Sequence, residues 1–299
     1  MSRTWTPLLF ACLTLSPSAP AAAPPAPPGK DRFGDPLPPR ALARAGTVRL
    51  RHAGIIRAAR FGADGKTVTS FCDDDFIRVW DVSTGKEIAA RPRLGFRLDL
   101  LECVTFSADG KLLVIGCDDG KDDSSDGLVL VCDAGSGKEL LRLTVPQAGT
   151  IYSVAASRDG KLVAAGDEGG TVRVWTVKGG LSVSRIEWDK GMVTGLAFSP
   201  DGRTLAAGNG EDAVALWDAV SGKRLRELKK TWQGNVQLNS DFESRLAFSP
   251  DGRTLLTANS DWGVRLWDVR TGKVLKEVVP ARRGGWTMHS DVEIGRAHV

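Results

Sequence analysis

A five-residue loop recurs along the chain, and no other feature restricts the fold as strongly. It stands at Phe61-Gly-Ala-Asp64-Gly65, Phe106-Ser-Ala-Asp109-Gly110, Ala156-Ser-Arg-Asp159-Gly160, Phe198-Ser-Pro-Asp201-Gly202 and Phe248-Ser-Pro-Asp251-Gly252, at intervals of 45, 50, 42 and 50 residues. A second marker, Trp80-Asp81, Trp175-Thr176, Trp217-Asp218 and Trp267-Asp268, follows the loop glycine by fifteen residues in four of the units. In the second unit Cys132-Asp133 takes its place, 22 residues after Gly110, because the acidic segment Lys121 to Asp126 lengthens the turn between them. A third marker completes each unit: Thr84-Gly85-Lys86, Ser136-Gly137-Lys138, Ser221-Gly222-Lys223 and Thr271-Gly272-Lys273, with a degenerate Lys178-Gly179-Gly180. Two or three markers in register over five units define a repeat architecture whose neighbours bury each other's faces.

Each unit divides into four short strands at its turn residues. In the fourth unit they are Val193 to Phe198, Thr204 to Ala207, Ala213 to Trp217 and Leu225 to Leu228. The Asp-Gly and Pro-Asp-Gly pieces are turns because proline presets φ and glycine accepts a positive one. Runs such as Leu112-Leu113-Val114-Ile115 and Leu128-Val129-Leu130-Val131 are apolar on both faces, which a half-solvated sheet does not tolerate. Four-stranded sheets stacked radially, each covered by two neighbours, satisfy this pattern, and that arrangement is an all-β propeller. Composition agrees: 42% apolar and 25% charged residues exclude fibrous, membrane-spanning and wholly disordered chains, and the 34 glycines supply the many turns. The net charge of +4 with no lysine or arginine block gives no support to binding of nucleic acid or anionic membrane.

With the FSPDG-like loop, the later VWD or LWD and the TGK turn in place, residues 46 to 279 resemble the WD40 repeat family. The resemblance implies a β-propeller of four-stranded blades that presents loops to a protein or peptide partner without catalysis. It also implies a structural tetrad in which a histidine, a turn aspartate, a Ser/Thr and the repeat tryptophan hydrogen-bond within one blade. Carried over residue by residue, the first repeat offers His52, Ser70, Asp74 and Trp80. The fifth offers Thr257, Asp261 and Trp267 without a histidine, the fourth Trp217 with Glu211 and Ala207, and the third Trp175 with Gly169 and Ala165. Most blades are therefore expected to depend on apolar packing. The segment 46 to 52 reads as an isolated strand of the kind that closes such rings, yet the fifth repeat already has a fourth strand in Lys273 to Val279. The expectation is an incomplete fragment of a larger ring of about seven blades. Residues 293 to 299 (EIGRAHV) resemble a translated short-read sequencing adapter, making 280 to 299 a truncated end.

The start of the chain reads as an address followed by a tether. Arg3, the apolar stretch Leu8 to Leu15 and the small-residue matches at Ala19-Pro20-Ala21 and Ala21-Ala22-Ala23 have the layout of a secretory signal peptide over 1 to 23. An Ala/Pro-rich disordered leader, leaving the chain in the cytoplasm, is the alternative. Ten of the fifteen prolines precede residue 40, so 24 to 45 is a linker with too little apolar surface to fold.

Catalytic chemistry has few residues to use. His52 and His289 are the histidines outside the adapter-like tail, so neither a histidine metal site nor a nucleophile with its base is drawn, and no cofactor is expected. The acidic stretch Asp118 to Gly127 lacks the spacing of a calcium loop and reads as a solvated hairpin insertion. Of Cys72, Cys103, Cys117 and Cys132, the pair Cys72 and Cys117 is too far apart across stacked sheets to bridge. Cys117 and Cys132, on adjacent strands, are left open, with buried thiols the favoured state. Arg78, Arg173 and Arg265, two residues before their tryptophans, read as solvated arginines covering apolar surface.

Three functional classes follow: an exported interaction scaffold, an interaction or sensor domain of a larger multidomain enzyme, and an exported quinoprotein-like propeller enzyme. The last is disfavoured because Glu87, Glu139, Arg224 and Val274, not the beginning of a tryptophan-bearing strand, follow the turn lysines. The partner-binding candidates are the two unusual loops, the acidic tip with Asp122 and Asp123 and the long 229 to 243 connection with Trp232 and Phe242.

Overall fold

The computed structural model describes residue 30 and residues 50–62, 64–92, 101–118, 126–188, 191–209, 213–228, 245–259 and 263–278. The chain divides into two units, Met1–Val48 and Arg49–Val299, and every strand belongs to the second. The first sheet comprises β1 (Ile56–Phe61), β2 (Thr67–Cys72), β3 (Phe76–Asp81) and β4 (Glu87–Pro92). The second comprises β5 (Leu101–Phe106), β6 (Leu112–Asp118), β7 (Gly127–Asp133) and β8 (Glu139–Val145). The third is β9 (Ile151–Ala156), β10 (Leu162–Asp167), β11 (Thr171–Thr176) and β12 (Ser182–Glu187). The fourth is β13 (Val193–Phe198), β14 (Thr204–Asn209), β15 (Val214–Asp218) and β16 (Arg224–Leu228), within two residues of the expected bounds. The fifth is β17 (Arg245–Phe248), β18 (Thr254–Asn259), β19 (Gly263–Asp268) and β20 (Val274–Val278). Each sheet is an antiparallel meander in sequence order, and no described residue is helical.

The repeat tryptophan marks a fixed irregularity. In all five sheets the third and fourth strands shift register where that residue stands, between Val79 and Trp80, Val131 and Cys132, Val174 and Trp175, Leu216 and Trp217, and Leu266 and Trp267. The bulge persists at Cys132, so the turn that follows sets it and not the indole.

Strand alternation assigns the core. Leu113, Ile115 and Leu130 of the second sheet face Phe71 and Ile77 of the first, while Val114, Val129 and Val131 face Val163, Ala165 and Trp175 of the third. Both faces of β6 and β7 are thus buried, which is why their sequences run apolar without alternation. Trp217 packs toward the third sheet and Trp267 toward the fourth, so each tryptophan faces the sheet before it. Successive sheets meet chiefly through their first strands, β1 on β5, β5 on β9, β9 on β13 and β13 on β17. Among the described residues no comparable packing joins the fifth sheet to the first, and the ring is open.

The expected closing strand lies mostly outside the described residues. Of the segment 46 to 52 only residues 50–52 are described, and they are turn and coil, not strand. Leu50 N donates to Gly85 O of the first sheet's own turn at 3.0 Å. From there the chain crosses the face of the first sheet that has no preceding neighbour and reaches the opposite end, where Asp73 N donates to Ile55 O at 3.0 Å.

Candidate functional site

Up-and-down sheets place their connections at two ends. One end holds the turns after the first and third strands, and these are nearly identical. Ser107, Ser157, Ser199 and Ser249 each donate from Oγ to the aspartate two residues on, Asp109, Asp159, Asp201 and Asp251, at 2.6, 2.8, 2.6 and 2.6 Å. Each serine oxygen also accepts a backbone N–H, from Leu112, Leu162, Thr204 and Thr254, at 2.9 Å. Gly202, at φ 71, closes such a turn in a conformation that glycine adopts without strain. The companion turns are caged by Asp81, Asp133, Asp218 and Asp268, which accept from Thr84, Ser136, Ser221 and Thr271 through both N–H and hydroxyl. Hydroxyl donors from Ser83 and Thr84 hold the Asp81 carboxyl down at about 2. In the third sheet Thr176 substitutes, donating to Lys178 O and accepting from Leu181 N. These aspartates build turns and are engaged in doing so.

The opposite end carries the connections after the second and fourth strands, which range in length from three residues at 73–75 and 168–170 to sixteen at 229–244. The acidic insertion springs from β6 and β7, and the 229–244 connection from β16 and β17, so both candidate loops arise at this one end. Asp122, Asp123, Trp232 and Phe242 themselves lie outside the described residues, as do Asp261 and Glu211. The base of the insertion is tied down, with Asp126 Oδ1 accepting from Gln147 N at 2.9 Å.

The three repeated arginines require a correction. They are not solvated covers but partners in ion pairs: Arg78 with Asp74 at 2.7 Å, Arg173 with Asp167 at 2.7 Å, and Arg265 with Glu277 at 2.7 Å. Arg265 is 3% exposed and Asp167 is 2% exposed, a depth at which either charge is costly without the other. Asp167 was not visible to a reading that placed the turn aspartate at Gly169. It sits two residues earlier, at the end of β10, and its Oδ1 accepts Thr171 N at 2.7 Å. Asn209 does the same for Ala213 N at 2.8 Å in the fourth sheet. The signal was an Asp or Asn eight residues before the tryptophan.

The tetrad residues come together only in part. Trp80 Nε1 donates to Ser70 Oγ at 2.7 Å, and His52 Nε2 lies 3.1 Å from the same oxygen. The His52 and Trp80 rings sit 5.0 Å apart. Asp74, expected on the histidine, instead accepts from Arg78 Nη1 at 2.9 Å and Phe76 N at 3.2 Å. Arginine offers it a charged donor that neutral imidazole cannot match. Burial, and then the Arg78 charge, push the His52 pKa below its ordinary value. In the fifth sheet Trp267 Nε1 donates to Thr257 Oγ1 at 3.0 Å. Trp217, facing Ala207, keeps a buried Nε1 with no hydrogen-bond partner among the described residues, and Trp188, stacked edge-on against it at 6.5 Å, does likewise.

Residues of the first strands of all five sheets line a cavity of about 1020 Å³ whose charged lining comprises Arg57, Arg60, Arg158, Arg245 and Glu102. Among the described residues no group of three His, Cys, Asp or Glu side chains could hold a metal. The thiols of Cys72, Cys103, Cys117 and Cys132 are unbridged. Register shows why Cys117 and Cys132 stay so: Cys117 pairs with Leu128 and Cys132 with Leu113, four residues along, or about 13 Å at strand spacing.

Comparison with protein families decides the lineage: the model of the WD domain, G-beta repeat, matches residues 47–81, 99–121, 137–176, 182–218 and 227–268. The chain belongs to the WD40 family. Four of the five WD40 matches end at the second residue of the Trp-Asp marker, so the sequence repeat runs one strand out of phase with the blade. WD40 propellers typically serve protein–protein interaction and are generally non-catalytic. No curated protein matches the chain. No helix among its described residues is long and apolar enough to cross a membrane.

Proposed function

We propose that this WD40 protein is an exported, non-catalytic scaffold whose partner, a protein or peptide, docks on the end built from the connections after the second and fourth strands. The observation that carries the reading is the contrast between the two ends. One is spent on repeated turn cages, in which the serine and threonine hydroxyls and the aspartates satisfy one another. The other is free to vary in length and charge over rigid sheets, the condition under which loops acquire binding roles. The leader supports export.

The experiment is quantitative binding with a partner first identified by crosslinking to the full chain in the source cell's envelope. Deleting residues 121–126, and separately changing Trp232→Ala, should each weaken binding at least tenfold, while Arg203→Glu at the opposite end should leave it unchanged. Unchanged affinity in both loop variants, or loss confined to Arg203→Glu, overturns the docking end. Turnover of a small molecule abolished by a single side-chain change overturns the non-catalytic reading. Recovery of cytoplasmic protein that still begins at Met1 overturns export.

A further inference from the structure

The tryptophan face of every sheet after the first is covered by the preceding sheet, as seen for Trp175, Trp217 and Trp267. Among the described residues the first sheet has no such neighbour, yet Trp80, Ser70 and Cys72 on that face are 3%, 2% and 0% exposed. A strap of chain lies there instead. Leu50 N is held by Gly85 O at 3.0 Å at one end of the sheet, His52 rests on Ser70 and Trp80 in the middle, and Gly54 reaches the other end. A methyl added to Gly54 would lie 3.2 Å from Asp73 Cβ and 3.4 Å from Cys72 Sγ, so the strap covers the thiol directly.

The strap is thinly attached. Leu50, its large apolar residue, and Ile55 just beyond it are 53% and 55% exposed, which leaves the His52 ring as its anchor on the face. That anchor fits one protonation state. Neutral His52 can donate from Nε2 to Ser70 Oγ, which accepts Trp80 Nε1 on its other lone pair, and Nδ1, buried with no hydrogen-bond partner among the described residues, then carries no proton. An imidazolium there would hold a buried N–H without an acceptor, a costly arrangement for a charged group. The charged groups around it are Arg78, which opposes protonation, and Asp74 and Glu87, which favour it but are both engaged by Arg78, at 2.7 and 3.2 Å. Asp73 is engaged by Arg57.

We propose that residues 50–54 are a pH-sensitive strap, closed over the first sheet when His52 is neutral and released when it is protonated. The sign follows from proton linkage. The closed state has the lower His52 pKa and so binds fewer protons than the open one. Closure is then stabilised above the ordinary histidine value of about 6.5 and weakens as pH falls through it. The Asp74 carboxyl, held low by Arg78, titrates below this window.

Cys72 is the reporter. The full chain is labelled with an aromatic disulfide that reacts with thiols in mild acid, and the extent at Cys72 is compared with that at Cys117 by peptide mapping. Cys117 is buried between the first two sheets and reports opening of the propeller itself. Between about pH 7.5 and about pH 5.5, on either side of the histidine range, the Cys72 to Cys117 ratio should rise severalfold in the unmodified protein. In His52→Gln, which keeps a neutral hydrogen-bonding group on Ser70, it should stay low and flat. In His52→Ala it should be high at both values. A flat ratio in the unmodified protein, an equal rise in His52→Gln, or parallel labelling of both cysteines overturns the strap.

Discussion

The first and second sheets of this propeller share a repeat and differ in how they use it. The second sheet lies between two others, β6 and β7 are buried on both faces, and the tryptophan position holds a small thiol, Cys132, that is 2% exposed. Among the described residues the first sheet has one sheet neighbour, and on its other face Ser70 and Trp80 meet the histidine of a crossing strap of chain. Where a neighbouring sheet supplies dispersion contacts and dryness, apolar packing suffices. Where it does not, directed polar contacts hold the cover in place. The fourth sheet shows the cost of mixing the two, because it retains the indole of Trp217 but offers Ala207 in place of a hydroxyl.

The largest expected effect lies in the interior sheet. Leu130→Ala removes a wholly buried side chain between first and second sheets and should cost about 2–5 kcal/mol in guanidinium unfolding. A loss below about 1 kcal/mol would break the contrast, since the second sheet would then not depend on packing. Next comes Arg173→Met, which strands the Asp167 carboxylate. Because Arg173 keeps 14% side-chain exposure, the cost should be about 2 kcal/mol, less than for a wholly buried pair. Asp167→Asn combined with Arg173→Met should recover most of it, and additive losses in that cycle would mean the pair is not coupled.

A smaller effect sharpens the comparison within the tetrad positions. Trp80→Phe should lose about 1 kcal/mol with its hydrogen bond to Ser70, while Ala207→Ser should gain up to about 1 kcal/mol by giving Trp217 an acceptor, of which it has none among the described residues. Thermal unfolding of the two variants checks both signs. A destabilised Ala207→Ser would show that packing around the fully buried Ala207 leaves no room for a hydroxyl.

The smallest effect is electrostatic and concerns the turn cages. Asp81 sits at about 2, and Asp159 and Asp201 are held below the carboxylate range by the hydroxyls of Ser157 and Ser199. Groups depressed in the folded state stabilise it above their unfolded values near 3.9 and lose that contribution as pH falls through the folded ones. Acid unfolding followed by circular dichroism should therefore steepen below about pH 4, and Asp81→Asn should shift its midpoint only slightly. A large shift would mean that this exposed turn carries more of the fold than its repetition implies.

Much of this was legible in the chain before any coordinates. The markers gave the strands of the fourth unit to within two residues, and Ser70 beside Trp80 was what the resemblance to WD40 repeats implied. Asp167 was not legible, because its role is set by its place at the end of β10 and not by the turn position where the repeat pattern looks for an acid. The pairing of Asp74 with Arg78 was missed for a different reason: two partners competed for one carboxylate, and the charged donor prevailed.

What the sequence determined by itself is local. Turns, strand lengths and the acceptors that cage each Asp-Gly loop involve residues within about one repeat of each other, and φ restrictions, alternation and short-range hydrogen bonds act at that range. What only the tertiary structure decided is which faces have neighbours. The crossing of residues 50–54 over the first sheet, the openness of the ring, the unsatisfied indole of Trp217 and the separation of Cys117 from Cys132 all depend on how sheets stack and in what register. A repeat sequence writes the same face in every unit, and burial of that face is a property of the unit beside it.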